Sequence, residues 1–164
     1  MIEVARTEQV AAPPEVVLAA LIDPAFYASL TAVGAVAAPE LLSLTTADTT
    51  AHLEVRYGFT GELSGPARAA IDPAKLTWVI ATDLDRSART GTFSVVPDHY
   101  GELLECSGNY ALHEVATGTE ERFSAQLTVH FPIFGRQVER SIADAFGRHV
   151  AAEAAALTAY CEQR

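Results

Sequence analysis

The sequence predicts an α+β domain in which seven antiparallel strands curl around one long C-terminal helix. Three observations carry this. Residues 50–61 alternate strictly, with His52, Glu54, Arg56 and Thr60 between Leu53, Val55, Tyr57 and Phe59, the period of a strand with one face on a core and one in water. Further strand-like stretches follow at short breaks, and short breaks mean antiparallel hairpins, because a parallel crossover needs about a dozen residues or more. After Pro132 the chain runs to its end without proline and with apolar residues at helical spacing.

The elements follow in order. Residues 1–10 read as a strand, with Ile2 and Val4 on one face. Pro13 and Pro14 suit the mouth of a helix that carries Val17, Leu18, Leu21 and Ile22. Asp23-Pro24 ends it, and a second short helix follows through Phe26, Tyr27 and Leu30. A less regular strand covers residues 37–47, then the alternating strand 50–61. Residues 62–75 hold Gly65-Pro66 and Asp72-Pro73 and read as a loop with one helical turn at PARAAI. Strands at 76–85, 88–96, 102–114 and 119–131 are separated by Asp85-Arg86-Ser87, Pro97-Asp98 and Thr117-Gly118. The last helix, of 27–31 residues, starts between Ile133 and Arg136. Val138, Ile142, Ala145, His149 and Ala152 form its stripe, which Phe146, Val150 and Leu157 widen.

The chain has 164 residues, the size of one domain with an ample core. Hydrophobic residues make up 49% and charged residues 20%, a globular composition. The net charge of −10 repels phosphate backbones and anionic lipid, which argues against nucleic acid and acidic membrane as partners. Cys106 and Cys161 are too few for a disulfide framework, and two free thiols fit a reducing compartment. The N-terminal segment MIEVARTEQV lacks a signal peptide's apolar stretch, and no run of 18 apolar residues occurs. The expectation is a cytoplasmic protein without integral membrane contact; the sequence is silent on oligomeric state.

A seven-stranded sheet is roughly 30 Å wide, whereas a helix is about 10 Å across. The sheet must therefore curl, and the curl favours an internal cavity facing the Ala-rich half of the helix, where Ala152, Ala155, Ala156 and Ala159 offer only methyl groups. The alternative is that large strand residues fill the gap.

The order strand, two helices, six strands, long helix resembles the helix-grip fold of the START-like (SRPBCC) superfamily. APPEVVLAALIDPAFY is similar to that superfamily's opening, and VHFPIFGRQVERSI to a closing signature of an uncharacterised bacterial branch, with Pro132, Gly135, Val138 and Glu139 at the matching positions. The resemblance spans the chain and implies binding of an apolar small molecule, lipid or polyketide-like compound. Some members of the superfamily are cyclases, aromatases or hydrolases; no activity carries over to these residues.

Motifs for chemistry are sparse. There is no CxxC, HExxH, GxSxG or paired-histidine spacing, and no metal or cofactor is expected. His52 and His130 face outward, Cys106 reads as inert packing, and the acidic pairs Asp83/Asp85 and Glu120/Glu121 read as solvated turn positions. His149, beside the helix stripe, is the best candidate for a polar group in the cavity. The expected lining takes Leu53, Val55, Tyr57 and Phe59 from one strand. Trp78, Ile80, Phe93, Leu104, Tyr110 and Leu127 come from the next four. Ile142, Phe146 and His149 come from the helix. Tyr57 and Tyr110 add hydroxyls able to orient a ligand. Three functions stay open: a non-catalytic carrier or sensor of a hydrophobic ligand, a cyclase- or aromatase-like enzyme, and a protein-interaction module with a filled core.

Overall fold

A computed structural model describes every residue except Ser64, which falls within the loop expected over 62–75, and every side chain but that of Pro66. Seven strands form one antiparallel sheet in the spatial order β1-β7-β6-β5-β4-β3-β2. The strands are β1 Ile2–Val10, β2 Glu40–Ala47, β3 Thr50–Gly58, β4 Thr77–Asp85, β5 Thr90–Pro97, β6 Leu104–Val115 and β7 Gly118–Val129. The helices are α1 Pro14–Leu21, α2 Pro24–Ser29, α3 Gly65–Ala70 and α4 Gly135–Glu162. The α+β helix-grip architecture is thus the one predicted. No helix among the described residues is long and apolar enough to cross a membrane.

Local chemistry sets the boundaries. The Asp23 side chain accepts from Ala25 N at 3.0 Å and caps α2, whose first residue is Pro24. The irregularity expected in β2 is a bulge between Leu41 and Ser43, which leaves Leu42 without a partner across β3. Gly118 opens β7 with φ 137°, and a Cβ there would lie 2.3 Å from Val10 O, so no other residue fits this turn.

The register fixes which side chains face inward. In β3, Leu53, Val55 and Tyr57 are buried. His52, Glu54 and Arg56 lie half-exposed on the outer face, in contact with Asp83, Ser43 and Asp98. Phe59 lies beyond the end of β3, its backbone bridged to Val36, and is only partly buried.

The single long helix does not sit centrally. α4 packs on β1 and β7 and against α1, while α2 packs on β2. Its fully buried residues are Glu139, Ala143, Val150, Ala154 and Leu157. The stripe expected through Val138, Ile142 and Ala145 is its half-buried flank. Two apolar clusters result. The larger joins Val17, Leu18, Leu21 and Phe26 to β3, Leu84, Leu112 and Leu157. The smaller joins Val4, Leu127 and Ala143, with Leu104, Cys106, Ile142 and Phe146 at its margin.

Three polar contacts hold α4 at its ends. The Glu139 carboxylate accepts from Val129 N at 3.0 Å, and this bond holds its carboxyl below the ordinary range. At the other end the Tyr160 hydroxyl donates to Asp23 at 2.7 Å, and Thr158 Oγ1 accepts from Ala11 N at 3.1 Å.

Val55→Asp is expected to destabilise the protein by several kcal/mol, because it places an unpaired charge on the buried face. Urea unfolding checks this; a change under about 0.5 kcal/mol would mean that the face is wet.

Candidate functional site

Between the two clusters the inner face leaves a pocket of about 80 Å3. Its wall draws on every strand from β3 to β7 and on the middle of α4. Leu53, Val55 and Tyr57 come from β3 and Ile80 and Thr82 from β4. Phe93, Tyr110 and Phe123 come from β5, β6 and β7, while Leu21 and Tyr27 close the side toward α1 and α2.

The aromatic rings reach the pocket because glycines stand opposite them. Gly91 pairs with Tyr110, and Phe93 with Gly108. A Cβ on Gly91 would lie 2.4 Å from the Tyr110 ring, and one on Gly108 would lie 2.7 Å from the Phe93 ring. Both rings therefore lie flat across a glycine. Phe93 stacks at 6.0 Å on Phe146, and Tyr110 meets Phe123 at 5.4 Å, so strands and helix share one aromatic lining.

The polar lining comprises two carboxylates, an imidazole, a threonine and three phenols. Glu121 on β7 is 2% exposed and faces the pocket. Burial first, then the charges of Glu153 and Glu8, push its carboxyl up to about 8. No hydrogen bond reaches it among the described residues. Glu8 stands directly across the β1–β7 pairing. From α4, Glu153 lines the same pocket, with His149 Nε2 3.5 Å from its carboxylate. The His149 ring meets Tyr57 edge-on at 5.0 Å. Tyr27 donates to Leu21 O at 2.7 Å. The Tyr57 and Tyr110 hydroxyls have no such partner among the described residues, and burial pushes both phenols above their ordinary range. A site of this kind grips an apolar body with rings and orients one polar end. Among the described residues no group of three His, Cys, Asp or Glu is arranged to hold a metal.

Of the residues expected to line a cavity, Leu53, Val55, Tyr57, Ile80, Phe93, Tyr110, Phe146 and His149 lie in this wall. Five do not. Trp78 stacks on the far side of Tyr57 at 6.2 Å, Phe59 lies past the strand end, and Leu104, Leu127 and Ile142 belong to the smaller cluster. The Ala-rich tail is not the pocket's roof. Ala155 and Ala159 are exposed, and the helical wall is Phe146, His149, Val150 and Glu153. The reason is the off-centre seat of α4, which turns Ala154 and Leu157 inward instead. The largest correction concerns Glu120/Glu121: only Glu120 is outward, where it pairs with Arg122, while Glu121 is among the most buried groups in the chain. The signal for it was parity, since Phe123 and Leu127 share its face. Cys106 is partly buried and its thiol pushed up by burial, so it is no thiolate nucleophile.

Comparison with known proteins places this geometry. A family model described as "Protein of unknown function (DUF2505)" matches residues 6–161. No functionally curated protein matches the sequence. Among solved structures, TTHA0849 from Thermus thermophilus aligns with a TM-score of 0.69 at 15% identity, over 99% of this chain and 98% of that one. Ara h 8.0201 aligns with a TM-score of 0.59 at 12% identity, over 99% of each chain. The di-domain ARO/CYC BexL from the BE-7585A biosynthetic pathway aligns with a TM-score of 0.60 at 19% identity, over 99% of this chain and 47% of that one.

Glu121 holds its proton more tightly in the folded than in the unfolded chain. Its contribution to stability is therefore present at acid pH and is lost as pH rises from the ordinary carboxyl range through about 8. Glu121→Gln is expected to remove that slope, raising stability at pH 9 by a few kcal/mol relative to the parent and changing little at pH 4. Denaturant unfolding across this range checks it; parallel curves for the two proteins would place the carboxyl in water.

Proposed function

The chain belongs to the DUF2505 family, within the START-like superfamily, and on that premise we propose that it binds a small, mainly apolar molecule in the pocket between α4 and the sheet. The observation that carries this reading is the aromatic wall with hydroxyls left free to face an occupant. A buried tyrosine hydroxyl ordinarily finds a partner, and a ligand supplies one. At about 80 Å3 the pocket suits a compact ring-bearing molecule. It is smaller than the ~300 Å3 and above of pockets for drug-sized ligands, so a lipid or polyketide chain requires the walls to part. The role is that of a carrier or sensor, which needs shape and orientation but no turnover.

A second reading, a cyclase- or aromatase-like enzyme, is favoured by the presence of Glu121, His149 and Tyr110 in one pocket wall. A carboxyl and an imidazole facing one apolar space are what acid–base chemistry on a carbonyl compound uses. Such an enzyme would accelerate exchange of protons next to the carbonyl of a small aromatic ketone in D2O, and His149→Ala would remove the acceleration. A carrier would leave the ketone unchanged.

Binding itself is tested with indole as a neutral aromatic probe. One-to-one binding to the parent protein is expected by calorimetry. Thr82→Phe, which fills the pocket from β4, is expected to weaken binding about tenfold or more, roughly 1.4 kcal/mol, with the thermal unfolding transition retained. Thr82→Leu is the milder companion. Undiminished indole binding by both folded variants would remove the pocket as the site.

A further inference from the structure

The geometry points to a ligand that carries a cationic amine, seated with its ammonium against Glu121 and Glu153 and its apolar body among the rings of Tyr57, Tyr110 and Phe123. This rests on the binding reading above and adds the chemical class of the occupant.

Four observations carry it. First, Glu121 is 2% exposed, faces the pocket and has no hydrogen-bond partner among the described residues. A buried carboxyl without a partner is costly, and a ligand donor relieves the cost. Second, the surroundings are acidic. Glu8 faces Glu121 across the β1–β7 pairing, a like-charge pair that disfavours the empty arrangement, and Glu153 adds a carboxylate from α4. Third, among the described residues no lysine or arginine lines the pocket. The basic group on the inner face of β1 is Arg6, whose guanidinium is directed at Gly147 of α4, where an added Cβ would lie 2.6 Å from it. Among the described residues, the hydrogen bond of Arg6 is the one to Ala5 O. Fourth, aromatic rings of Tyr57, Tyr110 and Phe123 share the pocket wall with these carboxylates, and the face of such a ring attracts a cation.

A ligand carboxylate or phosphate meets repulsion here. A neutral carbonyl competes as an acceptor of the Glu121 proton, and pH separates it from an amine. The titratable groups around Glu121 are Glu8 on β1, Tyr110 on β6, Tyr57 on β3, Tyr27 on α2, and His149 and Glu153 on α4. Below pH 8 an ammonium must displace the proton of Glu121. Its affinity therefore rises with pH, up to about tenfold per pH step, until the carboxyl is ionised. A carbonyl ligand shows the reverse trend.

The experiment compares 2-phenylethylamine with 2-phenylethanol on the full chain by calorimetry at pH 6 and pH 8. The amine is expected to bind at least tenfold more tightly than the alcohol at pH 8 and to weaken about tenfold or more at pH 6, while the alcohol changes little. Glu121→Gln is expected to abolish both the preference and its pH dependence. Glu153→Gln, remote from the strand pairing, is expected to reduce the preference in a protein that folds normally. Alcohol binding without an amine preference, or a preference unchanged in both variants, overturns the inference and leaves the apolar pocket standing. Failure of both compounds to bind one-to-one overturns the pocket reading as well.

Discussion

The structure depends on one mismatch: a single helix about 10 Å across must cover the apolar face of a sheet roughly three times as wide. α4 resolves it by sitting to one side, over β1 and β7 and against α1. The far edge is covered by α2 on β2, while α1 packs between α4 and β6 and β7; their Val17, Leu18, Leu21 and Phe26 join the apolar cluster that includes Leu53, Val55 and Tyr57 of β3. The space these helices leave over the middle strands is the pocket. The glycines at 91 and 108 belong to the same solution, because only without a Cβ there can Tyr110 and Phe93 lie across the curved inner face.

The helix is fastened at its ends and loosely filled in its middle. Glu139 ties its start to the end of β7, while Thr158 and Tyr160 tie its last turns to the β1–α1 connection and to Asp23. Between these points the inward side chains are Phe146, His149, Val150 and Glu153 around a void. A core with unfilled space loses the dispersion contacts it would otherwise make. End fastening lets the fold tolerate that loss without letting the helix slide inward to close it.

Much of this was legible in the sequence. Strict alternation in β3 set its faces, and Gly, Pro and Asp breaks set the hairpins, because those residues act on the backbone locally. Pro132, Gly135 and Glu139 marked the entry to α4. The site was legible only in its apolar part. The run Thr119-Glu120-Glu121-Arg122 follows a turn and reads as solvated; only the pairing of β7 with β1 and β6 shows that every second residue faces the core. On α4, the repeated alanines after Val150 carry little phase information, so the stripe drawn from Val138 and Ile142 falls beside the true one. What pattern leaves out is tertiary: an off-centre helix and a register carried from neighbouring strands.

Two buried glutamates show what such departures mean. Glu139 is 7% exposed and Glu121 is 2% exposed. Glu139 has a backbone partner, and its carboxyl is held low. Glu121 has none, and its carboxyl is pushed up to about 8. The first is explained by the fold it fastens. The second is not: an apolar residue at 121 would agree with Phe123, Ala125 and Leu127 on the same face and would spare the chain a buried acid beside Glu8 and Glu153. Local choices that contradict an otherwise consistent core are expected where a protein meets something outside itself. Glu121 is the carboxyl in this core that no hydrogen bond reaches among the described residues, as with the Tyr57 and Tyr110 hydroxyls beside it, and it faces the space where a ligand would provide a partner.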